Sequence, residues 1–89
     1  MEDIINNLTE EEKEIIERID RYQYTGGGYR RASFIEKVCR SRADKNILEN
    51  LCKKGFAETG LGGTVAGDTY RACWLTDKGK IVLEGLKKR

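Results

Sequence analysis

The cysteines are the side chains with the most reactive chemistry in this sequence of 89 residues, which contains no histidine. Cys39, Cys52 and Cys73 are far apart and form no C-x-x-C pair, so they do not match a zinc-ligand pattern. Without histidine the chain also lacks the commonest general base and metal ligand. We therefore expect no enzyme activity and no cofactor. We interpret the cysteines as small core residues, although their odd number leaves a disulfide between two subunits open.

Charged side chains are the second candidates for chemistry, because they make up 36% of the residues and are unevenly distributed. Residues 1–24 contain eight acidic and three basic residues, whereas residues 25–89 contain fourteen basic and seven acidic residues. This asymmetry indicates one surface that meets a polyanion and another that avoids it. The alternative is a charged surface that serves solubility or heat resistance, as in a thermophile.

Three capping signals predict the helices that must position these charges. Thr9 and Glu12 predict a first helix over 10–22, and Ser33 and Glu36 predict a short second helix over 34–40. Ser41 with Asp44 predicts a third helix over 42–54, which Gly55 ends. The run Gly26–Gly28 is interpreted as a flexible connection, because no Gly-Lys-Ser/Thr follows it as in a nucleotide-binding loop.

The pattern after Gly55 changes to that of a β-hairpin. We predict a strand over 56–59, a glycine-rich tip over 61–68 and a second strand over 69–75. Thr76 then caps a last helix over 77–87. These elements predict one α+β domain over 1–89, mostly helical, with residues 1–8 as an N-terminal extension.

The order of three helices, a hairpin and a last helix resembles the winged helix-turn-helix. The resemblance depends on Leu48-x-x-Leu51-x-x-x-Gly55-Phe56 and on Trp74-Leu75-Thr76-x-x-Gly79-x-x-x-Leu83, and it covers residues 8–87. The size, the cysteines and the missing histidine are also similar to small winged-helix regulators of archaea and their viruses. The resemblance implies sequence-specific binding of double-stranded DNA and a role as a transcriptional regulator, with the third helix in the major groove.

The sequence offers suitable side chains for that role. On the outer face of the third helix, Arg42 could donate to guanine and Asn46 could pair with adenine, and lysines could hold phosphates. Glu49 would repel phosphate but could accept a hydrogen bond from cytosine. The tip of the hairpin lacks cations, so its contact with DNA stays open. The predicted DNA-binding residues are Arg30, Arg31, Ser41, Arg42, Lys45, Asn46, Glu49, Lys53 and Arg71.

We also expect a homodimer, because one small domain covers little DNA. The apolar residues predicted for the interface are Ile4, Ile5, Leu8, Ile81 and Leu86, with the alternative that they only cover the first helix of their own chain. No segment resembles a membrane span or a secretory signal, so we expect a cytoplasmic protein, of a viral host cell if the source is viral. No small-molecule effector can be identified. Two other functions remain open: a protein-interaction module that does not bind DNA, and a redox-responsive DNA binder using Cys52.

Overall fold

The computed structural model describes residues 7–24, 32–63 and 67–88 and has an α+β architecture, as predicted. Four helices and four strands are present in these ranges. The helices are α1 (Glu10–Arg21), α2 (Ile35–Val38), α3 (Arg42–Lys53) and α4 (Asp77–Lys87). The strands are β1 (Gln23–Tyr24), β2 (Ala32–Phe34), β3 (Ala57–Gly63) and β4 (Thr69–Leu75). No helix in the described part of the chain is long and apolar enough to cross a membrane.

Helix α1 begins where its capping signal predicts. The Thr9 hydroxyl accepts from the Glu12 amide at 3.1 Å, and the Glu12 carboxylate accepts from the Thr9 amide at 3.0 Å. Each side chain satisfies an amide that the first helical turn leaves without a partner. The apolar side of the helix is then buried through Ile15, Ile16 and Ile19.

The sheet is larger than the predicted hairpin. Its four antiparallel strands have the order β1-β2-β4-β3, so the short β2 joins the hairpin at β4. Ser33, predicted to cap the second helix, lies instead in β2 opposite Cys73, and its buried hydroxyl donates to the carbonyl of Ile19. The second helix therefore begins later and is shorter than predicted, without a side-chain cap. Pairing with β4 is favoured over an earlier start of the helix because it satisfies backbone groups that would otherwise be buried without partners.

The hairpin of β3 and β4 also extends further than predicted along β3. The two strands pair from Ala57 opposite Leu75 to Gly63 opposite Thr69, so residues 61–63 of the predicted tip belong to β3, and residues 64–66 lie outside the described ranges. Glycine is tolerated in β3 because aromatic rings of β4 cover it. A Cβ on Gly60 would lie 2.7 Å from the Trp74 ring, and a Cβ on Gly62 would lie closer still to the Tyr70 ring, so either would clash unless the ring moved.

The end of α3 is tied to the start of α4. Gly55 ends α3 with a φ of +85°, a conformation that glycine adopts without steric cost. The Thr76 hydroxyl donates to the Gly55 carbonyl at 2.6 Å, and the Thr76 amide donates to the Phe56 carbonyl at 3.1 Å. Gly79 packs directly on that Phe56 carbonyl, where a Cβ would clash. This junction closes the base of the hairpin.

Helix α1 lies at the centre of the core and packs against α3, α4 and the sheet. Leu51 of α3, Val38 of α2 and Val82 of α4 are fully buried beside its isoleucines. Cys39 and Cys73 are buried in the same core, as predicted for small apolar side chains. Helix α3 is thus held by its inner face, and its outer face is left to solvent.

Candidate nucleic-acid interface

The turn before α3 is fixed by a carboxylate whose role differs from the predicted one. Ser41 caps α3 by accepting from the Asp44 amide at 3.2 Å. The Asp44 carboxylate, predicted as the reciprocal partner of this cap, accepts instead from the Arg40 amide at 3.0 Å and from Arg18 at 3.1 Å. The Arg40 amide and the Arg18 guanidinium hold the pKa of Asp44 below its usual value. The reason is that the charged form accepts both hydrogen bonds.

Arg18 connects α1 to this turn. Its guanidinium donates to Asp44, to the carbonyl of Val38 at 3.2 Å and to Glu14 of its own helix at 3.2 Å. The Arg18 side chain is only 20% exposed, so the contact with Asp44 is shielded from solvent more than an ordinary surface ion pair. The beginning of α3 is therefore attached to α1 by a planar side chain that satisfies three acceptors.

The other end of α3 is attached to α1 as well. Lys54, which follows the helix, donates to the buried carboxylate of Glu12 at 2.8 Å. Burial acts to raise the pKa of Glu12, but hydrogen bonds from Lys54 and Thr9 outweigh it, and the pKa is lowered overall. Lys78 of α4 in turn donates to the Lys54 carbonyl at 3.0 Å. We refer to the pairs Arg18–Asp44 and Glu12–Lys54 as the two clamps of α3.

The outer face of α3 carries most of the predicted DNA-binding residues, all of them exposed. They are Ser41, Arg42, Lys45, Asn46, Glu49 and Lys53. None of the charged members of this set forms an ion pair or a side-chain hydrogen bond with another described residue. They differ in this respect from Arg18 and Lys54, whose charges are used within the fold.

A groove runs between α3 and the sheet and brings together four of the predicted residues. Lys45, Glu49 and Lys53 line it from the helix, and Arg71 of β4 lines it from the sheet. The cavity measures about 490 Å³, and its other lining residues are Ile35, Leu48, Cys52 and Thr59. Ser41, Arg42 and Asn46 are not part of this lining. Arg71, the predicted hairpin cation, is thus placed beside α3 at the groove.

Thr59 is a lining residue that the sequence interpretation did not select. It lies opposite Cys73, and Leu61 lies opposite Arg71, so Thr59 and Arg71 share one face of the hairpin. The alternation of β3 against β4 was the signal that could have identified it. Arg30 and Arg31, predicted to contact the DNA backbone beside the helix, lie outside the described residues.

The residues predicted for a dimer interface lie in different environments. Leu8 is 6% exposed and belongs to the core of its own chain, and Leu86 packs partly against that core. Ile81 of α4 is 49% exposed. Leu86 also lines a cavity of about 270 Å³ between α1 and α4, together with Leu83 and the charged residues Glu17, Asp20, Arg21 and Lys87. Ile4 and Ile5 lie outside the described residues.

The cysteines are in environments that oppose a reactive thiolate. Burial raises the pKa of Cys73 to about 12 and raises the pKa of Cys39. The pKa of Cys52 is raised by burial and then by the carboxylates of Glu49 and Glu58. Redox-sensing cysteines have a lowered pKa, so the direction of this shift does not favour the redox-responsive hypothesis for Cys52. Within the described ranges, no group of three cysteine, aspartate or glutamate side chains could hold a metal ion.

No family model, no curated protein and no solved structure matches this chain. Its function must therefore be inferred from the chemistry of α3 and the groove beside it.

Proposed function

We propose that this chain is a winged helix-turn-helix regulator that binds specific double-stranded DNA, with α3 in the major groove and the hairpin of β3 and β4 as the wing. The observation that carries the proposal is the set of exposed cations without partners in the described structure. Arg42, Lys45 and Lys53 lie on α3, and Arg71 faces the two lysines across the groove. Cations that are free of internal ion pairs can neutralise phosphates and release counterions.

The arrangement of elements supports the same proposal. A short helix, a tight turn and a longer helix with an exposed outer face match the helix pair of such proteins, in which the second helix enters the major groove and the first crosses the backbone. The outer face of α3 combines cations with Asn46, and an amide side chain can pair with adenine. Ser41 and the first amides of α3 provide a place for a phosphate at the beginning of the helix.

In the proposed complex the protein acts by occupancy, as a dimer that covers two half-sites. A single domain of this size buries limited DNA surface, and two copies would increase both affinity and specificity. The side of α4 that exposes Ile81 is the surface that we propose for the contact between copies. That surface lies on elements other than α3 and β4, which leaves the proposed DNA-binding groove open.

The test is a binding titration with labelled duplex DNA at 50 and 200 mM salt. The variant Lys45→Ala/Lys53→Ala removes two groove lysines, and Lys80→Ala/Lys88→Ala is a matched control with the same residue types, the same spacing and exposed positions on α4 and at its end. We expect salt-sensitive binding by the natural chain and by the control. For the groove variant, the slope of log affinity against log salt should become shallower by about one for each phosphate that is no longer neutralised.

A second candidate function is a protein-interaction module with the same fold. Two observations favour it: the carboxylate of Glu49 lies among the groove cations, and Leu61 of β3 is 73% exposed on the proposed wing. The same titration separates the two functions. Absence of duplex binding even at 50 mM salt would contradict the DNA-binding proposal and favour a protein partner.

A further inference from the structure

Three charged residues of α3 form a row along the wall of the groove. Lys45, Glu49 and Lys53 are spaced four residues apart, so they lie on one face of the helix. Charges of opposite sign at this spacing commonly form ion pairs. In the described structure, however, neither lysine ammonium lies within 4 Å of the Glu49 carboxylate. The carboxylate is therefore exposed in the groove and free to accept hydrogen bonds.

A carboxylate at this place opposes binding to phosphate. Glu49 lies between two lysines and across the groove from Arg71, where any phosphate drawn in by the cations would meet its negative charge. A partner that satisfies the whole row must present a hydrogen-bond donor to Glu49 and acceptors to its neighbours. Phosphates alone present only acceptors, whereas a DNA duplex presents phosphate acceptors to the lysines and base-edge amines to the carboxylate.

Cytosine fits the carboxylate better than adenine does. Both bases carry an exocyclic amine in the major groove, but adenine places its N7 acceptor beside that amine, and N7 would face the lone pairs of the carboxylate. Cytosine carries the N4 amine beside a C5 hydrogen and has no major-groove acceptor of its own, while the O6 and N7 acceptors of the pair belong to guanine. The lysines lie about 6 Å on either side of Glu49 along the helix. That distance is roughly two base-pair steps, which places further acceptors within their reach.

We propose that Glu49 determines sequence specificity by accepting a hydrogen bond from the N4 amine of a cytosine. This inference rests on the proposed function, with α3 in the major groove. Lys45 and Lys53 bind backbone phosphates on both sides, as in the proposed function, and Glu49 lowers affinity for DNA that lacks the cytosine. Glu49 thus weakens non-specific binding to DNA and increases the difference in affinity between sequences.

The test is selection of preferred sites from a random duplex library, followed by titration of single-base variants of the selected site. The natural chain is compared with Glu49→Gln and with Glu84→Gln, a control that removes the same charge from an exposed position on α4. We expect the natural chain and the control to prefer cytosine at one position by about tenfold. A glutamine amide pairs with adenine, so Glu49→Gln should change that position to adenine and bind random duplex more tightly.

The outcomes separate this inference from the proposed function. Salt-sensitive binding with the same preferred site for the natural chain and for Glu49→Gln would overturn the role of Glu49 and leave DNA binding intact. Salt-sensitive binding without any base preference would overturn both the role of Glu49 and the sequence specificity of the proposed function, and would leave only non-specific binding of DNA. Absence of duplex binding would overturn both. Thermal unfolding of each variant is measured as a control, and we expect these exposed substitutions to leave the unfolding temperature nearly unchanged.

Discussion

The carboxylate of Asp44 accepts hydrogen bonds from donors other than the Ser41 amide that its position in the sequence indicates. Its spacing from Ser41 is that of a capping box, yet its carboxylate accepts from Arg40 and Arg18. The choice depends on Arg18, which belongs to α1 and lies 26 residues away in sequence. Local spacing identifies the cap by Ser41 but contains no information about a guanidinium that arrives from another helix.

The lowered pKa of Asp44 predicts a pH-dependent contribution to stability. A carboxyl whose pKa is lower in the folded than in the unfolded chain stabilises the fold above its unfolded pKa, and this stabilisation is lost as pH falls through the folded pKa. We expect Asp44→Asn to lower the free energy of unfolding by about 1 kcal/mol at pH 7. The difference from the natural chain should shrink below about pH 4.

Urea unfolding at pH 7, 5, 4 and 3 measures this difference directly. Glu84→Gln is the control, because its exposed carboxylate has no ion pair within the described residues, and its effect should stay small at every pH. A difference for Asp44→Asn that is the same at pH 7 and pH 3 would contradict the role of the charged hydrogen bonds.

At the scale of the elements, the contact between α4 and the base of the hairpin explains the spacing Leu75-Thr76-x-x-Gly79 in the sequence. Thr76 caps α4 by accepting from the Gly79 amide at 3.1 Å, and the same hydroxyl donates to the Gly55 carbonyl. Gly79 is required because the helix packs on the backbone of Phe56 at this residue. The spacing Leu-Thr-x-x-Gly thus combines a helix cap with a close helix–backbone contact.

Gly79→Ala therefore tests this packing, because its effect on stability should be opposite in sign to that of most glycine-to-alanine substitutions in helices. Alanine is about 1 kcal/mol better than glycine in an exposed helix interior. Here the added methyl group would clash with the Phe56 carbonyl, so we expect the variant to be destabilised by about 2 kcal/mol. Chemical denaturation measures the change, with Lys80→Ala as a control on the exposed side of the same helix. A Gly79→Ala protein as stable as the natural chain would show that α4 does not pack on this carbonyl.

The elements also show which parts of the fold local sequence can predict. Helix α1, strand β4 and helix α4 follow from capping residues, alternation and an apolar stripe, and the structure confirms them. Ser33 and Phe34 of strand β2 were assigned instead to the start of the second helix, because a strand of three residues has too little alternation to be recognised. These residues adopt a strand because they pair with β4, which is far along the chain, and because the Ser33 hydroxyl donates to the carbonyl of Ile19.

The same limit applies to the candidate site. The helical periodicity of α3 predicted which side chains are exposed, and the structure places all of them on the outer face. The groove beside them could not be predicted, because it depends on how the hairpin lies against the helix. Arg71 and Thr59 join the helix residues only through that packing.

At the scale of the whole molecule, the exposed apolar residues are few and lie on different elements. Leu61 of β3 and Ile81 of α4 are the large apolar side chains exposed within the described residues. Leu61 belongs to the hairpin, whereas Ile81 is close in sequence to Leu83 and Leu86, which line the cavity between α1 and α4. A second copy that covers α4 would bury Ile81 and leave Leu61 exposed.

Ile81→Asp and Leu61→Asp form a matched pair for testing self-association. Ile81→Asp places a charge in the proposed contact between copies, so we expect it to shift the chain towards the monomer without unfolding it. Leu61→Asp should leave the association unchanged. Sedimentation velocity across a range of protein concentrations measures the distribution for both variants. If the natural chain is monomeric throughout, or if Ile81→Asp associates as the natural chain does, α4 is not the interface.

The two clamps that attach α3 to α1 have a consequence for the thermodynamics of the proposed DNA complex. Arg18–Asp44 and Glu12–Lys54 hold both ends of the helix in the free protein, so its orientation is set before any duplex arrives. Preorganisation of this kind removes the conformational entropy cost that binding would otherwise carry. Binding of DNA should then lower the heat capacity only by the amount expected for the surface that the DNA covers. The larger decrease that accompanies folding on binding should not be observed.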